Sequence, residues 1–118
     1  MFAQQLKGHL DLLLLSVLHE GPAHGYAVIA TLQQRSGGAF DLPEGTVYPA
    51  LHRLEATGLV RSEWARETSR RRRVYALTAR GERALQAHRV RWQRFRTAMQ
   101  SVVPDSGPPT TAESGAGA

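Results

Sequence analysis

A mainly α-helical fold with a two-stranded β-hairpin and a long final helix is what this sequence predicts. Three observations carry that expectation. Apolar residues recur at helical spacing through three short segments between Leu6 and Gly58. Two short runs rich in Val, Trp and Tyr, "LVRSEWA" and "RVYAL", flank the polar stretch "RETSRR". The stripe Leu85, His88, Trp92, Phe95, Met99, Val102 then advances by alternating steps of three and four.

The first helix is expected from about Leu6 to His19. Leu6, Leu10, Leu13, Leu14, Val17 and Leu18 keep helical spacing, and Leu12 and Leu15 make the segment apolar nearly all round. Such a helix is buried on more than one side. Gly21-Pro22 stops it. A second helix is expected from about His24 to Arg35, with Tyr26, Ile29, Ala30 and Leu32 as candidate inward positions, and Gly37-Gly38 ends it. In "TVYPALHRLEATG", Val47, Ala50, Leu51, Leu54 and Glu55 follow a third helix and Gly58 supplies its stop. Pro49 admits two arrangements, because proline cannot donate to a helical carbonyl four residues back. Either it lies in the first turn of a helix starting near Val47, or an earlier helix kinks at it.

The hairpin follows, and Thr78 can cap a last helix from about Ala79 to Val102. The alternating stripe on that helix is a coiled-coil seam. "PDSGPPTTAESGAGA" has no large apolar residue and is expected to be disordered. The divisions are therefore 1–78, a compact domain, 79–103, a seam-bearing helix, and 104–118, a tail.

Composition narrows the functional classes. The 118 residues are 42% hydrophobic, so the core is small and a second protomer would help complete it. Lys+Arg number 15 against 10 Asp+Glu, a net charge of +5, and every basic residue except Lys7 is Arg. That balance favours an anionic partner, nucleic acid before a membrane surface. Cysteine is absent, which excludes disulfides and thiolate catalysis. The apolar run 12–18 is far shorter than the about 20 residues a bilayer requires. It also lacks the basic start and small-residue cleavage site of a signal peptide, so the expected compartment is the cytoplasm. The five histidines are scattered, and His19 and His24 are separated by Gly21-Pro22, so no metal site is expected. No phosphate loop, nucleophile elbow or paired-carboxylate pattern appears, so neither a cofactor nor catalysis is expected.

Three short helices followed by a hairpin is the order of a winged helix-turn-helix. There the third helix enters the DNA major groove and the hairpin, or wing, reaches the backbone or minor groove. On the third helix Thr46, Tyr48, His52 and Arg53 are the polar candidates. Arg53 can fork onto guanine or phosphate, or pair with Glu55 or Glu20. Tyr48, with Thr46, stands at the helix start, where an anion is favoured, or is a half-buried core ring. Lys7 can touch a phosphate or be simply solvated.

The run "SRRRRVYALT" divides by the two-residue period of a strand. Arg71 and Arg73 share a face with Tyr75 and Leu77, and Arg70 and Arg72 take the other. Arg70 and Arg71, nearest the tip, are the leading candidates for DNA contact, with Arg72 beside them. Arg73 can pair with Glu63 across the hairpin. Trp92 is either the largest knob of the seam or, with Phe95, a flat face for a planar ligand. His88 is a seam histidine with a capacity for pH sensitivity. A reading of a different class keeps the fold as a protein-interaction module whose basic hairpin docks an acidic protein.

The motifs "HGYAVIATL", "TVYPALHRLEATGLV" and "RRRVYALTARG" closely resemble the PadR family of bacterial transcriptional regulators, over about Leu6 to Val103. One final helix makes the chain similar to the short subfamily. The resemblance implies a homodimeric repressor binding a pseudo-palindromic double-stranded operator, with targets at its own promoter and a neighbouring transporter or detoxification gene. It implies dimerisation through the last helix and release by a small, aromatic effector near that interface. The residues expected at that interface or at a candidate effector pocket are Leu6, Leu10, Leu85, His88, Trp92, Phe95 and Met99. Pro49 is then a family trait. Ala76 stands where a second tyrosine is common, which removes any role of that ring.

Overall fold

The computed structural model describes residues 3–6, 8–67 and 70–104; Lys7 and most of the expected tail, 105–118, lie outside that set, as do the side chains of Ala3, Glu67 and Arg70. The elements are α1 (Ala3–Leu6), α2 (Leu10–His19), β1 (Ala23–His24), α3 (Gly25–Arg35), α4 (Glu44–Ala56), β2 (Val60–Glu67), β3 (Arg70–Leu77) and α5 (Ala79–Val102). The chain forms two compact units, 1–88 and 89–118, and α5 contributes residues to each.

The first unit is built around α2. Leu14 and Leu15 are fully buried, and Leu12, Val17 and Leu18 nearly so. Burial on adjacent faces is what the all-round apolar pattern predicts. The helix starts at Leu10 rather than Leu6, because Gly8 takes φ +84° and breaks the helical path. α3 adds Val28 and Leu32, α4 adds Val47, Ala50, Leu51 and Leu54, and Tyr75 and Leu85 close the core. Each fully buried Val or Leu among them contributes about 1.5–3 kcal/mol. Two expected inward residues of α3 face outward: Tyr26 is 51% exposed and Ala30 is exposed.

α4 begins at Glu44, three residues before Val47, so Pro49 sits in the second turn. Gly45 and Pro49 are both exposed, which puts the carbonyl that Pro49 cannot serve on the solvent side. The helix closes as expected at Gly58, where the Leu59 amide donates to the Leu54 carbonyl at 2.9 Å and the Gly58 amide to that of Glu55 at 3.0 Å.

The hairpin pairs β2 with β3 in the register Val60↔Leu77 through Glu67↔Arg70. It gains a third strand that the sequence pattern does not show. β1 pairs with β3 on its other edge, Ala23 opposite Tyr75 and His24 opposite Val74, giving the order β1-β3-β2. Thr78 caps α5, accepting from the Gly81 amide at 3.1 Å while donating to the Gly58 carbonyl at 2.7 Å. His19 and Glu82 meet at 2.9 Å, tying the end of α2 to the first turn of α5.

In the second unit, α5 exposes Trp92, Phe95, Met99 and Val102 along the predicted stripe. The Trp92 and Phe95 ring centroids are 6.2 Å apart and tilted by 39°. Of the remaining seam residues, Leu85 is core, Leu10 packs against the core, and His88 and Leu6 are half-buried.

Candidate nucleic-acid interface

Burying Val47, Ala50, Leu51 and Leu54 leaves the opposite face of α4 in solvent. That face carries Thr46, Pro49, His52 and Arg53, all exposed, with Tyr48 half-buried at its margin. The early start of α4 moves Tyr48 off the first turn, and Glu44 occupies that turn instead. The Tyr48 ring lies against Gly25, where any Cβ would run into it, and meets Tyr26 edge-on at 6.3 Å and 79°. Burial, reinforced by Tyr26 and Glu44, pushes the Tyr48 phenol above its ordinary range. It therefore stays protonated at neutral pH and can donate to an anion. His52 approaches Tyr75 with ring centroids 6.5 Å apart.

Arg53 makes an ion pair with neither of the carboxylates the sequence suggested. Its Nη2 donates to Asp11 Oδ1 at 2.6 Å. Glu20 is taken by Arg35, whose hydrogen bond holds that carboxyl below its ordinary range. Glu55 accepts from Ser62 Oγ at 2.6 Å.

The three wing arginines whose side chains are described, Arg71, Arg72 and Arg73, divide as the strand period requires. Arg71 and Arg73 lie on the face that carries Trp64, with guanidinium carbons 4.8 and 5.1 Å from the indole centroid. Arg73 also donates from Nε to Ser62 Oγ at 2.9 Å, and its Nη2 lies 4.0 Å from Glu55. Its carboxylate is thus Glu55 rather than Glu63. The register explains the correction: Glu63 is opposite Val74, on the other face of the hairpin, and sits 3.7 Å from Arg61 instead. Arg72 points to the opposite face, 3.4 Å from His24 Nδ1 and 6.0 Å from the Tyr26 ring. His24 Nδ1 also accepts from the Ala27 amide, capping α3. Arg70 is placed at the tip by its backbone pairing with Glu67, and its side chain is outside the described set.

The structure thus brings Thr46, Tyr48, His52 and Arg53 together on α4, and Arg71, Arg72 and Arg73 on the hairpin. Sequence reasoning missed Asp11, His24, Tyr26 and Trp64. A hairpin register would have placed Trp64 opposite Arg73; nothing local links Asp11 to a residue 42 positions away. Among the described residues there is no group of three or more His, Asp or Glu side chains that could hold a metal. Nor is any described helix long and apolar enough to cross a membrane.

Comparison with known proteins agrees with this geometry. A transposon-encoded, uncharacterised protein of Streptomyces fradiae is 40% identical over 97 residues, 80% of this chain, though the match spans only 26% of that protein. The transcriptional regulator Rv3488 of Mycobacterium tuberculosis is 39% identical over 71 residues, covering 60% of this chain and 66% of its own. Among solved structures, a PadR family transcriptional regulator of Eggerthella lenta superposes with a TM-score of 0.76 at 31% identity, over 90% of this chain and 91% of that one. The model of the transcriptional regulator PadR-like family matches residues 14–87, the span from the core of α2 through the wing into α5. On that match and this winged architecture, the chain belongs to the PadR-like family of transcriptional regulators.

Proposed function

We propose that this protein is a sequence-specific, DNA-binding repressor that works as a homodimer in the cytoplasm and is released from its operator by a small-molecule effector. The observation that carries the reading is the connection between α4 and the arginine-bearing wing. Glu55 of α4 accepts from Ser62 of β2, which accepts from Arg73 of β3. A recognition helix and wing linked in this way can read base edges and grip phosphates as one body. Thr46, His52 and Arg53 address the major groove, Tyr48 donates to backbone, and the wing arginines meet the flanking phosphates.

The exposed stripe of α5 supports self-association, since a seam of Trp92, Phe95 and Met99 is costly to leave in water. Two recognition helices would then address half-sites about 34 Å apart. The Trp92–Phe95 pair offers an aromatic effector a surface on the same stripe. Such an effector acts by binding the two dimer arrangements with different affinity.

Titrating the protein against its enriched operator and against random duplex, over a series of salt concentrations, tests the reading. A repressor holds the operator at least about 10³-fold tighter, with log affinity falling linearly in log salt. Equal affinity for the two duplexes overturns it.

A further inference from the structure

Trp64 is a large aromatic residue left 55% exposed in the middle of β2. The register puts Arg73 directly opposite it and Arg66 opposite Arg71, so one face of the hairpin carries Trp64 and three arginines. Like charges directly opposite on a strand pair destabilise a hairpin. The opposed arginines are therefore a cost to folding and fit a polyanion. The indole offsets part of the repulsion: its negative π face accepts both the Arg71 and Arg73 guanidiniums. The two are not equivalent. Arg73 is fixed at the root by Ser62 and Glu55, whereas Arg71 stands exposed one strand repeat closer to the tip.

We propose that Trp64 is a positioning residue for DNA binding. Its ring holds the Arg71 guanidinium flat, which leaves the edge N–H groups pointing outward in a fixed fork for a backbone phosphate. Through Arg73 the same ring keeps that fork in register with α4. An unsupported arginine would lose rotamer freedom on each binding event; a stacked one has already lost it. The inference rests on the DNA-binding reading above and adds a residue that does not itself carry charge.

The test uses the full chain and a fluorescently labelled duplex of random sequence, across a salt series, with W64L, W64F, R71A and the W64L/R71A double variant. W64L should weaken binding roughly two- to five-fold per arginine released. It should also make the slope of log affinity against log salt shallower, by about 0.9 for each phosphate no longer neutralised. W64F, which keeps a π face, should restore part of both, an outcome that a merely structural role would not produce. In the R71A background W64L should add little, because the two residues act as one unit. Circular dichroism and melting establish that each variant is folded, and W64F keeps the inference open to refutation if W64L is not. Wild-type binding with W64L and W64F unchanged in affinity and slope overturns the inference alone. So does a W64L effect of equal size with and without Arg71. A wild-type protein that does not bind the duplex overturns the DNA-binding reading as well.

Discussion

Gly25 opens α3, and its backbone is not in the left-handed region; it is required for a different reason. A Cβ at this position would collide with Cζ, Cε1 and Oη of Tyr48, the outer end of a ring mounted on α4. Gly25→Ala therefore forces the Tyr48 ring to move, and overpacking of this kind costs about 1–3 kcal/mol. Against that, Ala at a compatible backbone conformation gains about 0.4–1 kcal/mol by restricting the unfolded chain. The net expectation is a loss of about 0–2.6 kcal/mol, centred near 1.3. The sign should reverse once the ring is gone: in a Tyr48→Ala background, Gly25→Ala should stabilise by about 0.4–1 kcal/mol. Tyr48→Phe should rescue little, since Cζ and Cε1 remain. The assay is urea unfolding of the four-variant cycle at one fixed protein concentration, because self-association would otherwise shift the midpoint. An equal destabilisation by Gly25→Ala with and without the Tyr48 ring refutes the packing argument.

Two further expectations follow from the same surface. Asp11→Asn should release Arg53 and remove a negative charge beside α4, so that affinity for random duplex rises and the salt slope steepens by about 0.9. Stability should fall by only about 0.2–1 kcal/mol, because the pair is partly exposed; a shallower slope or weaker binding in gel-shift titrations would contradict it. Burial raises the phenol pKa of both Tyr48 and Tyr75. A neutral form favoured by folding stabilises fully below the ordinary tyrosine range, and that stability is lost as pH rises through the raised values. Melting temperatures should therefore decline above about pH 10, and Tyr75→Phe should flatten the decline; an unchanged decline in Tyr75→Phe counts against burial as its cause.

The helices that build the core were legible because their burial is periodic. Val47, Ala50, Leu51 and Leu54 repeat at the spacing one face imposes, and Thr78 stands where an N-cap must. What stayed hidden depends on residues far apart in the chain. β1 is two residues long, too short to show an alternation, and exists because β3 has a second edge to satisfy. The early start of α4 was obscured by Pro49, whose local cost is tolerated at an exposed position. The strand period alone separated Arg71 and Arg73 from Arg72. It could not say that Asp11 would engage Arg53 or that Glu55 would engage Arg73, because those partners are set by how helices pack, while the exclusion of Glu63 needed the hairpin register as well as the period.

The short pairing of β1 with β3 also sets the mechanics of the wing. β3 is flanked by a strand on each side only at Val74 and Tyr75. Beyond that point the hairpin is a two-stranded ribbon, and the overhang begins at Arg73 and runs to Arg70. Four residues at about 3.4 Å each make it a cantilever of about 14 Å, clamped where the three strands meet. A small tilt at the clamp becomes a larger displacement at the tip. Arg70, Arg71 and Arg72 ride on this overhang, Arg73 is tied at its root to Ser62 and Glu55, and the clamp itself is joined to the start of α3 through His24.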